Sequence, residues 1–472
     1  MTPEAQALSV KRAQVEFHNF ASLGEPERNL RIYAEENQRR AEVIRAQREF
    51  IGEMSPFLEI GANAGHTSYL LCNEFGAEGF ALDISADSLR HGRVLMEAWH
   101  LERAPVRLAG DAVHLPFADG SLRMVCAFQM LSQFMDVESV FREVARVLAP
   151  GGVFLFAEEP LKRMLSLRLY RCPYYDTMKP WERRLYDWGL LGYFVRDVIG
   201  AHQEESFGIR QNHTMGIAEW HTLVRKYFAE HRYQVFVPER GWGERVVKRA
   251  AIRLDPHGSE WRAAKLLGGT LAAVCKKAGS SQPRSLATFE TLLRCPDCAA
   301  DLSRDSSDTL RCAKCGYEAA NEGGVYNLLP SADRKELYPG DRPDILDFSQ
   351  PGHAAHLGEG WYDLEGDFGN KYRWIGRRAT AHLSQVASGP QKLRIRGHAS
   401  QQGIPGEVRA LVNGAVVGDW KLDRPGLFVL EATVPDAPEY SIEIIASPEW
   451  SVATDDRVFT VNLSMIRLLP RD

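Results

Sequence analysis

The sequence predicts an α/β protein: a doubly wound, mostly parallel sheet, followed by a small cysteine-rich region and an all-β region. Three observations carry this prediction. Short apolar segments alternate with helical segments between residues 57 and 159, a glycine-rich turn follows the first of them, and beyond Pro330 the pattern changes to short strands of alternating polarity. Strands that alternate with helices form a parallel sheet, and its ligands lie across the carboxyl ends of the strands.

The first strand, Phe57–Ile60, runs into the glycine turn and then into a helix expected from His66 to Glu74. Glu59, Gly61 and Gly65 give the spacing E-x-G-x-x-x-G. The first glycine permits a backbone conformation closed to residues with a Cβ, and the second lets a ligand approach the chain closely. Unpaired N–H groups at the start of the helix suit a carboxylate or a phosphate.

Four further strands follow in a fixed order. The second ends in Asp83, the third leads to Asp111, the fourth ends before a polar stretch, and the fifth follows the break at Pro150-Gly151-Gly152. An acid at the tip of the second strand of such a unit accepts both hydroxyls of a ribose. A helix is expected from Val137 to Leu148, because its apolar residues recur at helical spacing.

These ordered motifs resemble the class I S-adenosylmethionine-dependent methyltransferases, over roughly residues 17–277. The resemblance implies a Rossmann-like sheet and a set of residues around the methyl donor. The methionine end would be held by Glu59, Gly61, Ala62, Asn63 and Gly65, the ribose by Asp83 beside Ile84, and the adenine by Asp111 beside Ala112, with Phe128 and Gln129 on the far side. Asn63 departs from the family, where many members carry a glycine, but asparagine tolerates unusual backbone angles. A dehydrogenase is disfavoured, because the G-x-G-x-x-G fingerprint is missing.

Methyl transfer to a hydroxyl needs a base that removes the acceptor's proton. Glu158 and Glu159 stand where the fifth strand should reach the carboxyl edge, beside the donor. His202, His213 and His221 lie further along the chain and are the alternative candidates. The two acids have a second interpretation as a helix-start pair, and each histidine has one as a surface or core residue.

Residues 160–215 form a predicted helical insertion that is rich in tyrosine, tryptophan and arginine. One interpretation is a lid that stacks sugar or base rings and meets phosphates with guanidinium groups. A second is a peripheral surface that touches anionic lipid. The third is an insertion whose aromatic side chains form a small core of their own.

Four cysteines form two C-x-x-C pairs: Cys295, Cys298, Cys312 and Cys315. A tetrahedral zinc ion needs four converging thiolates, and two tight turns supply them. A closed four-cysteine site is structural, whereas disulfides are disfavoured in a reducing cytosol. The surrounding segment resembles the small zinc-ribbon proteins that partner tRNA and protein methyltransferases, and it suggests a folding or docking module.

Beyond residue 336, short alternating strands are separated by turns such as Asn413-Gly414, which predicts an antiparallel β-sandwich. Its aromatic strand patterns resemble the jelly-roll domains attached to bacterial glycosyltransferases and glycan-modifying enzymes. Its aromatic residues either offer a platform for stacking sugars or fill the core. They are Trp361, Tyr362, Trp374, Trp420 and Trp450.

The 472 residues therefore divide into a predicted methyltransferase domain at 1–278, a zinc ribbon at 279–335 and a β-sandwich at 336–472. The net charge of −5 disfavours DNA binding by bulk charge. The first residues lack a signal-peptide pattern and the apolar run at 266–275 is too short to span a bilayer, so a cytoplasmic protein is expected. The expected reaction is O-methylation of a sugar hydroxyl in a bacterial glycan or glycosylated metabolite. RNA or protein methylation, and a non-catalytic scaffold that binds the donor, are the alternatives.

Overall fold

The computed structural model describes residues 26–134, 136–162, 179–188, 215–236, 269–281, 288–366, 371–386 and 388–470, and short pieces at 8, 11–12, 15, 170–173, 195–199, 252–253, 265 and 286. His202 and His213 lie outside the described residues, as does most of the predicted lid. Among the described residues, no helix is long and apolar enough to cross a membrane.

The central sheet confirms the predicted α/β class. Its strands are β1 Phe57–Ile60, β2 Gly79–Asp83, β3 Val106–Ala109, β4 Leu122–Phe128, β5 Leu148–Leu161, β8 Glu230–Phe236, β9 Ile252–Arg253 and β10 Gly269–Lys276, with the short pair β6 Tyr170–Pro173 and β7 Val195–Ile199 outside it. The order across this part of the sheet is β3-β2-β1-β4-β5-β10-β8-β9. Strands β1 to β5 run parallel, so their carboxyl ends meet at one edge.

Helices cover both faces of this sheet because its strands are apolar on both sides, as a buried parallel sheet requires. They are α1 Pro26–Ala46, α2 Arg48–Ile51, α3 His66–Asn73, α4 Ala86–Arg90, α5 Gly92–Ala98, α6 Val137–Val147, α7 Pro180–Asp187 and α8 Ile217–Tyr227, with a 3₁₀ turn at Leu131–Gln133. The structure differs from two of the expectations drawn from the sequence. The strand assignment runs through the Pro150-Gly151-Gly152 break, with Gly151 at φ 76°, and the described part of the predicted helical lid holds two short strands besides α7.

The cysteine-rich region joins the central sheet. After a 3₁₀ turn at Phe289–Leu292 come β11 Ser303–Arg304, β12 Thr309–Arg311, β13 Glu318–Glu322 and β14 Val325–Asn327, then helix α9 Ser331–Leu337. Strands β11 to β14 form an antiparallel ladder, and β14 pairs in parallel with β3. The ladder therefore continues the central sheet past its edge strand.

The C-terminal region is an antiparallel sandwich, as predicted. Its strands are β15 Ile345–Asp347, β16 Trp361–Glu365, β17 Tyr372–Ile375, β18 Arg378–Ser384, β19 Gln391–Ala399, β20 Gly406–Val412, β21 Ala415–Leu422, β22 Gly426–Val434, β23 Glu439–Ser447, β24 Trp450–Val452, β25 Asp455–Phe459 and β26 Val461–Pro470. 3₁₀ turns lie at Pro351–His356 and Gln401–Gly403. One sheet has the order β16-β17-β26-β19-β22, with β15 on β26, and the other has the order β18-β23-β20-β21. Their facing apolar side chains form one core.

Candidate functional site

The glycine turn lies at the carboxyl edge between β1 and α3. Gly61 has φ 68°, and a Cβ there would lie 2.9 Å from the Met130 side chain. Asn63 takes φ 52°, which fits the expectation that asparagine replaces a glycine here. Gly65 has φ 80° and begins α3 in the left-handed conformation. The turn is thus closely packed against the loop that follows β4.

Asp83, at the end of β2, is buried and tied to this turn. Its Oδ2 accepts from the backbone N–H of Asn63 at 2.7 Å, and its Oδ1 accepts from the N–H of Ser85 at 2.9 Å. Two fixed amides hold the carboxylate in one orientation, beside the half-buried Ile84. A carboxylate held in this way at a strand tip is preorganised to accept hydroxyl donors.

Glu59 lies below the turn on β1. Its carboxylate is fully buried and accepts a hydrogen bond from Ser68 Oγ on α3 at 2.5 Å. Burial raises the pKa of Glu59 to about 7, although the Ser68 hydrogen bond and the Arg40 charge oppose the rise. The side chain therefore links β1 to the first turn of α3.

Asp111, after β3, is also buried, next to the buried Ala112. Its Oδ1 accepts from the N–H of Val113 at 3.0 Å, and its Oδ2 pairs with Lys11 Nζ at 2.7 Å. Burial alone would raise the pKa of Asp111, but the bonds from His114 and Lys11 outweigh it and hold the pKa below its usual value. Asp111 is therefore a charged acceptor at the third strand end.

A buried arginine that the sequence analysis missed stands over the middle of the edge. Arg40 of α1 donates through Nη2 to Glu158 Oε2 at 2.8 Å and through Nη1 to Thr67 Oγ1 at 2.8 Å. Its guanidinium carbon lies 4.7 Å from the centre of the Phe128 ring. Arg40 thus joins the ends of β4 and β5 to the start of α3. The only sequence cue is its i, i+4 spacing from Glu36.

Glu36 and His66 extend this cluster. His66 Nε2 lies 2.8 Å from Glu36 Oε2, and the His66 ring stacks on Tyr33 with centroids 4.4 Å apart. Burial lowers the pKa of His66 more than Glu36 raises it, so the imidazole is neutral at pH 7. The N-terminal helix α1 therefore covers the glycine turn with polar side chains.

The two predicted catalytic acids have different surroundings. Glu159 is completely buried, and its two oxygens accept the N–H groups of Met130, Leu131 and Ser132 at 2.8–3.0 Å. Burial raises the pKa of Glu159 to about 7, against these bonds. All of these contacts fix the loop after β4.

Glu158 faces the partly open side of the edge, with its side chain 21% exposed. It sits at φ 64°, an uncommon conformation for a residue with a Cβ. Oε2 is taken by Arg40, whereas Oε1 has Arg39 Nε at 3.5 Å. Gln129, exposed at φ 53°, follows Phe128 on the neighbouring strand and donates its backbone N–H to Ala157. Glu158 and Gln129 thus lie next to each other at the ends of two neighbouring strands, and both reach the surface.

Of the three histidines considered as bases, His221 is the one among the described residues, and it lies away from the carboxyl edge. His221 on α8 has Nδ1 3.0 Å from the Tyr233 hydroxyl and its ring packs edge-on against His231. In the pairing of β8 with β10, Tyr233 and His231 lie progressively further from the carboxyl edge than Val235. His221 therefore packs against the sheet at a distance from its carboxyl edge.

The four cysteines converge, as their spacing predicts. Their sulfur atoms all lie within 4.8 Å of one another, with Cys295 and Cys315 at 3.5 Å and Cys298 and Cys312 at 3.5 Å. These separations are too long for disulfides and fit four thiolates around one tetrahedral metal at Zn–S distances of about 2.3 Å. The residue after each pair, Ala299 or Gly316, has a positive φ. Two equivalent knuckles therefore form a site able to hold zinc.

The sandwich aromatics divide into two groups. Trp420 is buried in the core, and Trp361 packs on that core and donates Nε1 to the Thr380 carbonyl at 2.6 Å. Trp374, Trp450 and Phe459 pack on one another with centroids 5.0–5.4 Å apart. These rings are engaged in packing contacts among themselves.

Comparisons with known proteins match the part of the chain that contains the glycine turn, Asp83 and Asp111. Residues 58–156 match a family model described as a methyltransferase domain. Among curated relatives, the chain is similar to norajmaline N-methyltransferase of Rauvolfia serpentina, at 27% identity over 27% of this chain and 41% of the relative. It is also similar to methyltransferase GfsG of Streptomyces halstedii, at 34% identity over 21% of this chain and 36% of the relative.

Among solved structures, phosphoethanolamine N-methyltransferase 2 of Haemonchus contortus, in complex with S-adenosyl-L-methionine, has a TM-score of 0.32 and 18% identity, covering 51% of this chain and 52% of that one. The chain spans about two fifths of the length of the curated relatives it matches. The matched segment runs from β1 into β5 and contains the glycine turn, Asp83 and Asp111. Residues 58–156 are therefore similar to a methyltransferase domain. They hold the glycine turn, Asp83 and Asp111, whereas Arg40, Glu158 and Glu159 of the same edge lie outside the matched segment.

Proposed function

We propose that this protein transfers a methyl group from S-adenosylmethionine to an acceptor held at the carboxyl edge of the central sheet. One observation carries the proposal: the glycine turn and the fixed carboxylates of Asp83 and Asp111 stand side by side at the ends of three adjacent parallel strands. The matched family model spans the same strands. When bound, the donor supplies an electrophilic methyl on a sulfonium.

The chain's residues fit the donor from one end to the other. Gly61 packs closely against Met130, and the start of α3, which follows the glycine turn, would receive the carboxylate of the donor. Asp83 would accept the ribose hydroxyls beside Ile84, and Asp111 would accept the adenine amino group beside Ala112. Phe128 and Gln129 would form the wall toward the acceptor, while Glu59 holds α3 in place. These assignments extend the prediction made from the sequence.

We propose Glu158 as the base for a hydroxyl acceptor. Oε2 is held by Arg40, whereas Oε1 has only the longer contact to Arg39 among the described residues, so Oε1 would take the proton. Because displacement at a methyl group is in line, the cover formed by α1 would contribute by orienting the acceptor and excluding water. A sugar hydroxyl in a bacterial glycan or glycosylated metabolite is the acceptor we favour, since it needs such a base and the chain ends in a β-sandwich.

The relatives do not select the acceptor. Their names include two N-methyltransferases, tocopherol O-methyltransferase of Arabidopsis thaliana and an arsenite methyltransferase. A second candidate, methylation of RNA or protein, is favoured by the cysteine-rich ladder that continues the sheet next to β3. Digesting a cell extract with nuclease before the methyl-transfer assay separates an RNA acceptor from a glycan acceptor, because only the RNA is lost.

We propose that the four thiolates hold one structural zinc ion. A Cys₄ site leaves no coordination position for a substrate. Cysteines that hold a metal instead of forming disulfides are typical of a reducing compartment, which supports a cytoplasmic location. The metal would therefore stabilise the ribbon and take no part in methyl transfer.

Calorimetric titration with S-adenosylhomocysteine tests the donor site. Asp83→Ala should weaken binding at least ~10-fold, since a charge-assisted hydrogen bond contributes about 1.5–3 kcal/mol. Asp119→Ala, at a mostly exposed carboxylate outside the site, is the control and should bind as the parent does. Unchanged affinity in Asp83→Ala would contradict the donor assignment. With donor binding intact, Glu158→Gln should lower kcat for a hydroxyl acceptor by about 10²-fold or more.

A further inference from the structure

The segment after the cysteine ladder contacts both acid-bearing loops of the central sheet. Strand β14 pairs with β3, and the backbone N–H of Leu328 donates to the Ala109 carbonyl at 2.7 Å, two residues before Asp111. Val325 of β14 is buried with Ala62 of the glycine turn and with Ala81 of β2. The ladder is therefore in contact with the candidate donor site.

Tyr338 bonds to the loop after β2. Its hydroxyl donates to the Ile84 carbonyl at 2.9 Å and accepts from the Ala86 N–H at 2.8 Å. Both bonds lie within three residues of Asp83. Burial raises the pKa of Tyr338, so the phenol stays neutral and keeps its donor proton. One side chain from beyond the ribbon thus fixes the backbone next to the candidate ribose acceptor.

Lys11 bonds to the other loop. Its ammonium group lies 2.7 Å from Asp111 Oδ2 and 2.6 Å from Asp333 Oδ2 of α9. Leu8 and Val15, on either side of it in sequence, pack with Leu329 and Leu337 of the α9 segment. The lysine is therefore a bridge between α9 and the candidate adenine acceptor, and its position depends on the segment after the ladder.

We propose that Tyr338 and Lys11 are positioning residues for the nucleoside half of the donor site. Tyr338 holds the loop that carries Asp83, and Lys11, braced by Asp333, fixes the rotation of the Asp111 carboxylate. The inference rests on the proposed function, because it concerns the same site. It means that the segment after the ribbon contributes to donor affinity, although it lies outside the sequence motifs of the sheet.

Two tyrosine substitutions in the full-length protein separate positioning from general stability. Tyr338→Phe removes the hydroxyl at the loop. Tyr317→Phe removes a hydroxyl that bonds to the Asn327 and Leu329 carbonyls within the ladder and its extension. Titration with S-adenosylhomocysteine should show a loss of about 5- to 10-fold for Tyr338→Phe and no change for Tyr317→Phe, because one or two hydrogen bonds correspond to that range.

The test of Lys11 also uses a control variant, together with a conservative substitution that should restore binding. Lys11→Met should weaken S-adenosylhomocysteine binding by about 5-fold or more, since it leaves Asp111 without its cation. Lys11→Arg should restore most of the affinity. Arg12→Met, which removes the neighbouring contact to Glu336, should bind as the parent does. The Michaelis constant for the donor should rise in both positioning variants, with kcat unchanged at saturating donor.

The outcomes distinguish this inference from the proposed function. Parental affinity in Tyr338→Phe and Lys11→Met, with binding lost in Asp83→Ala, would overturn the positioning role and leave the donor site standing. Parental affinity in all three would contradict the donor site itself. Amide exchange at Ile84 and Ala86 is the second measurement: it should accelerate in Tyr338→Phe, and unchanged exchange would also overturn the inference.

Discussion

The cysteine ladder and the β-sandwich are both β-rich additions, yet they relate differently to the central sheet. The ladder's buried residues, such as Leu310 and Leu328, belong to the same hydrophobic core as β1 and β4. The sandwich core is a separate cluster drawn from residues 346–468. The ladder is therefore part of the unit that folds around the sheet, whereas the sandwich has a core of its own. The position of the ladder and the sandwich along the chain does not by itself show which of them shares a core with the central sheet.

Removing the metal site should have the largest effect on this contrast. We expect metal analysis to find one zinc ion per chain in the parent protein and none in Cys298→Ser. The loss of stability should be large, because the binding of structural zinc contributes about 10–16 kcal/mol to the folding of zinc-finger peptides. Amide exchange should then accelerate across β11–β14 and along β3, while β19 of the sandwich keeps its protection. Lys314→Ala, at an exposed position within the second knuckle, is the control. A parent protein without metal, or unchanged exchange in Cys298→Ser, would contradict the account.

Two matched leucines give the next largest effect. Leu310 of β12 and Leu430 of β22 are both fully buried strand residues. Each change to alanine should cost about 2–5 kcal/mol. Leu310→Ala should lower the unfolding transition that S-adenosylhomocysteine stabilises, and Leu430→Ala should lower only a transition insensitive to that ligand. Both variants shifting the same transition equally would show that the chain unfolds as one unit.

The pH dependence of stability should also differ between the regions. The pKa of Glu59 is raised to about 7 from an unfolded value near 4.5, so the folded state binds its proton more tightly. This stabilisation is fully present below pH 4.5 and is lost as the pH rises to 7, by about 3 kcal/mol in all. Glu59→Gln should remove this share of the dependence from the central-sheet transition, as followed by denaturant titration at several pH values, and leave the share of Glu159, whose pKa is also raised to about 7. Glu78→Gln, at an exposed site, should retain it.

A backbone substitution in the first knuckle should have the smallest effect. Ala299 has φ 56°, where glycine is unstrained. Ala299→Gly should therefore stabilise the metal-bound ribbon by about 0.5–1 kcal/mol after the greater flexibility of the unfolded chain is allowed for. Gly316→Ala, at the equivalent position with φ 75°, should destabilise it by a similar amount. Equal shifts of the same sign in thermal unfolding would contradict the equivalence of the knuckles.

Local patterns predicted much of the fold. The succession of parallel strands along the chain, the glycine turn and the position of Asp83 followed from periodicity and from residues at strand ends, and the cysteine spacing predicted the convergence of four thiols. The pairing of β14 with β3 was not predictable in the same way. It consists of backbone hydrogen bonds at a sheet edge, which leave almost no trace in residue type.

The rest of the site depends on contacts distant in sequence. Arg40 meets Glu158 across 118 positions, and Tyr338 meets Ile84 across 254. No local pattern encodes such pairs. The two adjacent acids show the same limit, because Glu159 binds three backbone amides while Glu158 is partly exposed and pairs with Arg40. Strand alternation separates their directions, but only the packed structure shows which amides one of them meets.

Amide hydrogen exchange of the full-length protein, with and without saturating S-adenosylhomocysteine, tests the central claim most directly. That claim is that the donor binds at the carboxyl edge and that the ladder's extension belongs to this site while the sandwich does not. The account predicts new protection at residues 61–66, 83–86, 110–113 and around Tyr338, with strands β19 and β22 unchanged. Protection that is absent from these loops, or that appears mainly in the sandwich, would contradict it.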